Sequence, residues 1–259
     1  MKIYTNYYFI KLNKTLTIGS RPLSGRNFLG TICCHHKSGG NKYKLIFIDF
    51  YKRINNYGFI LNIIKNRNYT AYISGIIYEN GLYTFILLTE NLNLGNKIYI
   101  GSFYNIETNQ LGLNICIKFI KLFSLIHNIE LFPFSKSILI RAAGGSGLII
   151  KKEYNKAIIK LKSGWNLIIS KYCIAAIGLM SNSKHKFKNL IKAGNSRKMG
   201  IRPTVRGVAM NPHDHPHGGG EGKKSPPAGQ LSPWAWLTKG TPSLKKKWQI
   251  KKKKLYKYI

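Results

Sequence analysis

The chain has 259 residues, enough for one large domain or two small ones, and 44% of them are hydrophobic, which speaks against wholesale disorder. Its 42 Lys and Arg face only 8 Asp and Glu, giving a formal net charge of +34. Such a charge repels itself unless a polyanion screens it, which points to nucleic acid ahead of an anionic membrane; the thin supply of carboxylates disfavours an ordinary hydrolase.

Residues 1–23 read as an N-terminal arm filled with Ile, Tyr and Asn, without the Arg- and Ser-rich pattern of an organellar presequence. Cys33-Cys34-His35-His36 looks metal-like on paper. In a strand, however, consecutive side chains alternate, so the four cannot face one ion, and one cysteine is expected inside with the other outside. Cys116 and Cys173 complete four scattered thiols with no C-x-x-C spacing, which predicts neither a zinc finger nor a disulfide framework.

From residue 25 to 104, β-branched and aromatic runs at 43–50, 59–64, 69–77, 83–88 and 97–100 alternate with turn signals such as Asn80-Gly81. A second β-rich block follows, with strands expected at 115–119, 137–141, 148–152, 157–162 and 167–170. Short strands at this spacing predict small barrels or sandwiches. The most apolar stretch, 111–134, is interrupted by Lys118, Lys121, His127 and Glu130, so core strands explain it better than a membrane span.

Past Lys184 the composition changes: residues 184–259 hold nineteen Lys and Arg against two acids, with Gly and Pro clustered from 203 to 242. That segment cannot offset its own ordering entropy by apolar burial and is expected to fold only against a partner. Within it, residues 202–222 read RPTVRGVAMNPHDHPHGGGEG. Three consecutive glycines let the backbone approach a phosphate or base closely, while Pro203, Pro212 and Pro216 stiffen the flanks. Arg202 and Arg206 offer planar forks to phosphates; Asn211, His213, His215 and His217 suit bases and riboses. Trp234, Trp236 and Trp248 among basic residues favour base or ribose stacking. The alternating histidines would share one side of an extended chain and so suit a metal, but the prolines and glycines around them favour RNA.

This segment resembles the most characteristic stretch of the universal large-subunit ribosomal protein L-two (L2) family. The likeness extends to Gly25-Arg26-Asn27, residues 30–42, Ile48-Asp49-Phe50, Arg141-Ala142-Ala143-Gly144, Lys162-Ser163-Gly164, Lys192-Ala193-Gly194, Arg197 and residues 200–202. It departs from the family at Thr31, Ser38, Asn41, Lys136-Ser137, Lys198 and His213. The resemblance implies an all-β fold: an OB-fold-like domain (24–109), an SH3-like barrel (110–190) and an extended basic C-terminal tail (191–259) penetrating rRNA. It implies a structural constituent of the large ribosomal subunit, bound to large-subunit rRNA near the peptidyl-transferase centre beside other ribosomal proteins. No catalytic residue, metal, cofactor, small-molecule substrate or membrane insertion is expected. The residues expected to contact rRNA are Arg26, Lys37, Lys42, Lys44, Arg141, Lys162, Lys192, Arg197, Arg202, Arg206, Asn211, His213, His215, His217, Gly218, Gly219, Gly220, Lys223, Lys224, Trp234 and Lys239. The family also gives the histidine after Asp214, here His215, a debated supporting role in peptidyl transfer. Abundant Lys, Asn, Ile and Tyr suggest an AT-rich organellar gene, and the loop with its continuation from Lys223 to Trp234 resembles mitochondrial versions of the family, which favours a mitochondrial matrix ribosome over a plastid one. A free single-stranded nucleic-acid binder of OB type is the alternative.

Overall fold

The computed structural model describes residues 14–20, 22–101, 110–222, 229–239 and 249–250. Most of the N-terminal arm, Lys223, Lys224, Trp248 and the lysine clusters at 245–247 and 251–254 lie outside the described residues. Two compact units emerge: Met1–Ser20 with Tyr43–Asn189 and Lys246–Ile259, and Arg21–Lys42 with Leu190–Lys245.

In the first unit, β1 (Thr17–Gly19) and β2 (Lys44–Ile46) form an antiparallel ribbon. The OB-fold-like lobe follows with β3 (Asn56–Lys65), β4 (Tyr72–Tyr78), β5 (Tyr83–Leu87) and β6 (Lys97–Ile100). The SH3-like barrel comprises β7 (Asn114–Cys116), β8 (Leu125–His127), β9 (Ile129–Glu130), β10 (Ser137–Leu139), β11 (Gly147–Lys152), β12 (Lys156–Leu161), β13 (Asn166–Ser170) and β14 (Ile174–Ile177). With β15 (Gln249–Ile250) as the edge strand beside β13, one sheet runs through both lobes in the order β15-β13-β12-β11-β8-β14-β7-β6-β3-β4-β5. The lobes join where β6 and β7 pair in parallel at Ile100 and Asn114.

Period-2 alternation explains why the first-lobe strands are apolar on both faces. Ile73, Tyr83, Phe85 and Leu87 enter one cluster with Ile46, Phe50 and Met180. Ile76, Tyr78 and Ile86 enter a second with Ile60, Ile98 and Ile100. The barrel has its own core of Ile115, Ile126, Ile149, Ile159, Ile169 and Ala175 among others.

Buried polar contacts fasten the two lobes. Lys52, fully buried, donates from Nζ to the Asn128 carbonyl at 2.7 Å. Burial pushes its ammonium down to about 7, against the opposing pull of Glu130 and Asp49. His127 lies between the Gly178 carbonyl (Nδ1, 3.1 Å) and the Thr89 hydroxyl (Nε2, 3.2 Å). A carbonyl only accepts, so Nδ1 carries the proton and Nε2 accepts from Thr89. Desolvation, aided by the charge of Lys52, drives this imidazole down to about 3, so it stays neutral. Backbone bonds cross the same boundary, among them Ser137 N–H to the Phe50 carbonyl, Ser181 N–H to the Leu88 carbonyl and Glu90 N–H to the Leu179 carbonyl.

Among the departures from the expected strands, three have plain local reasons. The run 43–50 keeps only β2, because the Asp49 carboxylate accepts from the N–H groups of Tyr51 (2.9 Å) and Lys52 (3.2 Å) and closes a turn. The run 115–119 leaves the sheet after Cys116 and tightens into a 3-10 turn at Ile117–Phe119. β14 is a four-residue, wholly buried strand whose Ile-Ala-Ala-Ile text carries no alternation to announce it.

Candidate nucleic-acid interface

In the second unit, two stretches distant in sequence are joined by backbone hydrogen bonds. Ser38 N–H donates to the Gly200 carbonyl (2.8 Å), Asn41 N–H to Lys198 (2.9 Å) and Arg202 N–H to His36 (3.0 Å). Lys37 and Ile201 form an antiparallel bridge, and His36 Nδ1 lies 3.1 Å from the Pro203 carbonyl. Composition predicts that the tail folds only against a partner; here the chain's own 22–42 stretch supplies part of that partner. A six-residue helix, α1 (Ala193–Lys198), also forms where no periodicity was expected.

This joining gathers Arg26, Lys37, Lys42, Lys192, Arg197, Arg202 and Arg206, all exposed, into one unit. Lys198 and Lys239 add to them, and the described acids of the unit are Asp214 and Glu221. Cys33 and Cys34 sit in a bend rather than a strand, and both are exposed, unlike the inside–outside split expected of them. Among the described residues, no three His, Cys, Asp or Glu side chains converge as a metal site.

The loop from 206 to 220 is built around His215. Residues 211–215 turn instead of extending, because the N–H groups of Asp214 (3.0 Å) and His215 (3.3 Å) both donate to the Asn211 carbonyl. The three histidines therefore do not share one side. His213 is exposed and reaches Asp214 at 3.2 Å. His215 is only 8% exposed and packs against Gly207, where a Cβ would lie 2.7 Å from the imidazole. Its Nδ1 accepts the His217 N–H at 3.0 Å, which places the proton of the neutral ring on Nε2. The His217 ring lies 4.7 Å from it, and His217 Nε2 lies 2.8 Å from the Gly229 carbonyl.

The glycines close the loop. A side chain at Gly218 would lie 2.3 Å from the Asn211 carbonyl oxygen, and Gly219 holds φ +88° beside Pro212. Gly220 and Asn211 stand exposed at the same turn. Beyond it, a hairpin at 229–239 carries Trp234 and Lys239, both exposed, with the Trp234 ring tilted against that of His35 at 5.8 Å. Sequence reasoning missed Gly207, since a lone glycine after Arg206 carries no signal until His215 is seen against it.

Three expected residues belong to the other unit. Lys44 is exposed on β2. The Arg141 guanidinium lies 5.0 Å over the Phe50 ring, and Lys162 Nζ donates to the Gly144 carbonyl in the turn at 142–147. The acids are mostly spent on structure: Asp49 caps a turn, Glu79 pairs with Lys97, Glu153 with Lys151, and Glu90 accepts from Ser183. Glu130 is buried and accepts from Ile174 N–H at 2.9 Å; desolvation raises its pKa, opposed by that bond and by Lys52.

Residues 13–100 match the family model described as Ribosomal Proteins L2, RNA binding N-terminal domain, and residues 110–235 match Ribosomal Proteins L2, C-terminal domain. Large ribosomal subunit protein uL2m of Reclinomonas americana is 39% identical over 90% of this chain and 84% of its own length. The uL2 proteins of Wolbachia pipientis wMel (38% identical, 95% of this chain, 87% of the relative) and Rickettsia canadensis (40%, 90% and 85%) are similarly alike.

Proposed function

The chain belongs to the ribosomal protein L2 family, and on that premise we propose that it is a structural constituent of the large subunit of a mitochondrial ribosome, docked on large-subunit rRNA near the peptidyl-transferase centre. The observation that carries this reading is the second unit, where exposed cations from two distant stretches of the chain share one compact body with the glycine loop. Lys and Arg supply affinity through phosphates, and the loop supplies register. Arg26, Lys37, Lys42, Lys192, Arg197, Arg202, Arg206 and Lys239 are the proposed phosphate contacts, with Lys44, Arg141 and Lys162 on the β lobes. Asn211, His213, His217, Gly218, Gly219, Gly220 and Trp234 meet bases, riboses or closely approaching backbone, and Lys223 and Lys224 extend the same path. His215 acts from inside the loop, as the support that shapes it. The protein is structural, not an enzyme.

Mitochondrial placement draws on the uL2m relative and the AT-rich residue usage, while the bacterial uL2 relatives are equally similar. Two fractionations test the proposal. The chain should cosediment with large subunits through a moderate-salt wash and copurify with mitochondria. Recovery wholly free of ribosomal particles would overturn the ribosomal reading, and recovery with plastid ribosomes the compartment. Exposed Phe47, Tyr51 and Phe59 on the OB-like lobe favour one other reading, a free single-strand binder, which predicts that particle-free outcome.

A further inference from the structure

The 229–239 hairpin presents large, mostly exposed apolar side chains. Leu231 and Leu237 pair across it, and Ser232 N–H donates to the Trp236 carbonyl at 2.8 Å. Trp236 N–H returns to Ser232 Oγ at 3.1 Å, and Thr238 closes on the Gln230 carbonyl through both its N–H (3.0 Å) and its Oγ1 (2.9 Å). Ala235 takes φ +61° at the tip, so the backbone is set before any partner arrives. His217 anchors the base of the hairpin at Gly229. From this frame Trp236 stands 75% exposed, Leu237 67% and Trp234 65%. Trp234 already leans on the His35 ring; no ring of the described residues is recorded against Trp236.

An exposed aromatic cluster of this kind marks a contact surface. Its occupant must also tolerate a strongly cationic setting, since the same unit carries Arg26, Lys37, Arg202, Arg206 and Lys239. An RNA with unpaired bases meets both demands, offering apolar π-faces joined by phosphates. A perfect duplex meets only the second, because its base faces are already stacked on one another. We propose that the hairpin is a preformed stacking finger: Trp236 takes the face of an unpaired nucleobase, and Trp234, backed by His35, supports it from the side. This rests on the rRNA-binding reading and adds the structural class of nucleotide recognised.

Stacking and phosphate contact respond differently to salt, which gives a direct test. Counterion release makes log affinity fall with log salt in proportion to the phosphates neutralised, whereas a stacked base adds affinity without changing that slope. The full chain is titrated, over a range of salt, with two RNAs of equal length: a perfect duplex and a duplex carrying an unpaired adenine bulge. Trp236→Ala should weaken binding of the bulged RNA about tenfold with the salt slope unchanged, leave the duplex untouched, and be largely rescued by Trp236→Phe. Equal loss on both RNAs, a changed slope, or no loss on the bulged RNA would overturn the finger. Failure of the wild-type chain to bind either RNA would instead overturn the rRNA-binding reading itself. Loss of flotation with anionic vesicles on Trp236→Ala, with RNA binding intact, would reassign the hairpin to a membrane surface.

Discussion

The hydrogen bond from His217 N–H to His215 Nδ1 ties a buried imidazole to the shape of the glycine loop. His215→Ala removes the acceptor and leaves a cavity against Gly207, a combined loss of about 1–3 kcal/mol in local stability. The expected outcome is lower yield of mature large subunits on gradients, with peptide-bond formation retained in the particles that assemble. Fully assembled particles without peptidyl transfer would show that the residue acts on the chemistry. Gly218→Ala drives a methyl against the Asn211 carbonyl oxygen, 2.3 Å from the ideal Cβ, so the turn must open. Its affinity for rRNA fragments should fall severalfold, and Asn211→Ala, which keeps the backbone carbonyl in place, should not reproduce the loop's collapse in backbone NMR shifts. At this scale the sequence names the loop but not its interior. Gly, Pro and His are legible as a docking segment, yet the two N–H groups converging on Asn211 reverse the alternation and bury the middle histidine.

His127 shows how one element depends on another, because its neutral ring joins β8 to Thr89 in the neighbouring lobe. Its folded pKa of about 3 lies below the 6.5 of an ordinary imidazole, so the unfolded chain binds the extra proton first as pH falls. The stability it contributes is fully present above about 6.5 and is lost progressively as pH falls toward about 3, at roughly 1.4 kcal/mol per pH unit. Glu130, raised by burial, works in the opposite direction, so the comparison needs a variant. Urea midpoints of the full chain should fall between pH 6.5 and pH 5, and His127→Gln should flatten that fall while lowering the midpoint at pH 7. Apolar and β-branched runs mark β5, β6, β11, β12 and β13 nearly to the residue, while β3 starts three residues ahead of its run. It failed at β14 and at the shortening of the 43–50 and 115–119 runs. Those depend on a neighbouring strand or an Asp-capped turn, and no local pattern encodes them. The pairing of residues 22–42 with the tail is likewise invisible, because it is made largely by main-chain bonds, which no side-chain pattern encodes.

For the whole molecule the dominant fact is a formal charge of +34, and salt acts on it in two opposing ways. In the free chain, like charges repel, and raising ionic strength shortens the screening length from about 10 Å at 0.1 M to about 3 Å at 1 M. That screening relieves self-repulsion, so the thermal midpoint of the RNA-free protein should rise by several degrees over this range. In the RNA complex the same salt removes the gain from counterion release, so affinity should fall steeply and linearly on logarithmic axes. Neither trend alone separates this protein from any basic chain; their opposition does, because it requires a folded body whose charge is compensated by the partner. Calorimetry of the free protein and filter binding to large-subunit rRNA, run in the same buffers, measure both. A thermal midpoint that falls as salt rises would mean that internal ion pairs outweigh repulsion. The exposed pairs Lys97–Glu79 and Lys151–Glu153 are poor candidates for that, since surface pairs contribute little. A few cations work inside the protein, as Lys52 does between the lobes, but most stand exposed, an arrangement that suits an external polyanion.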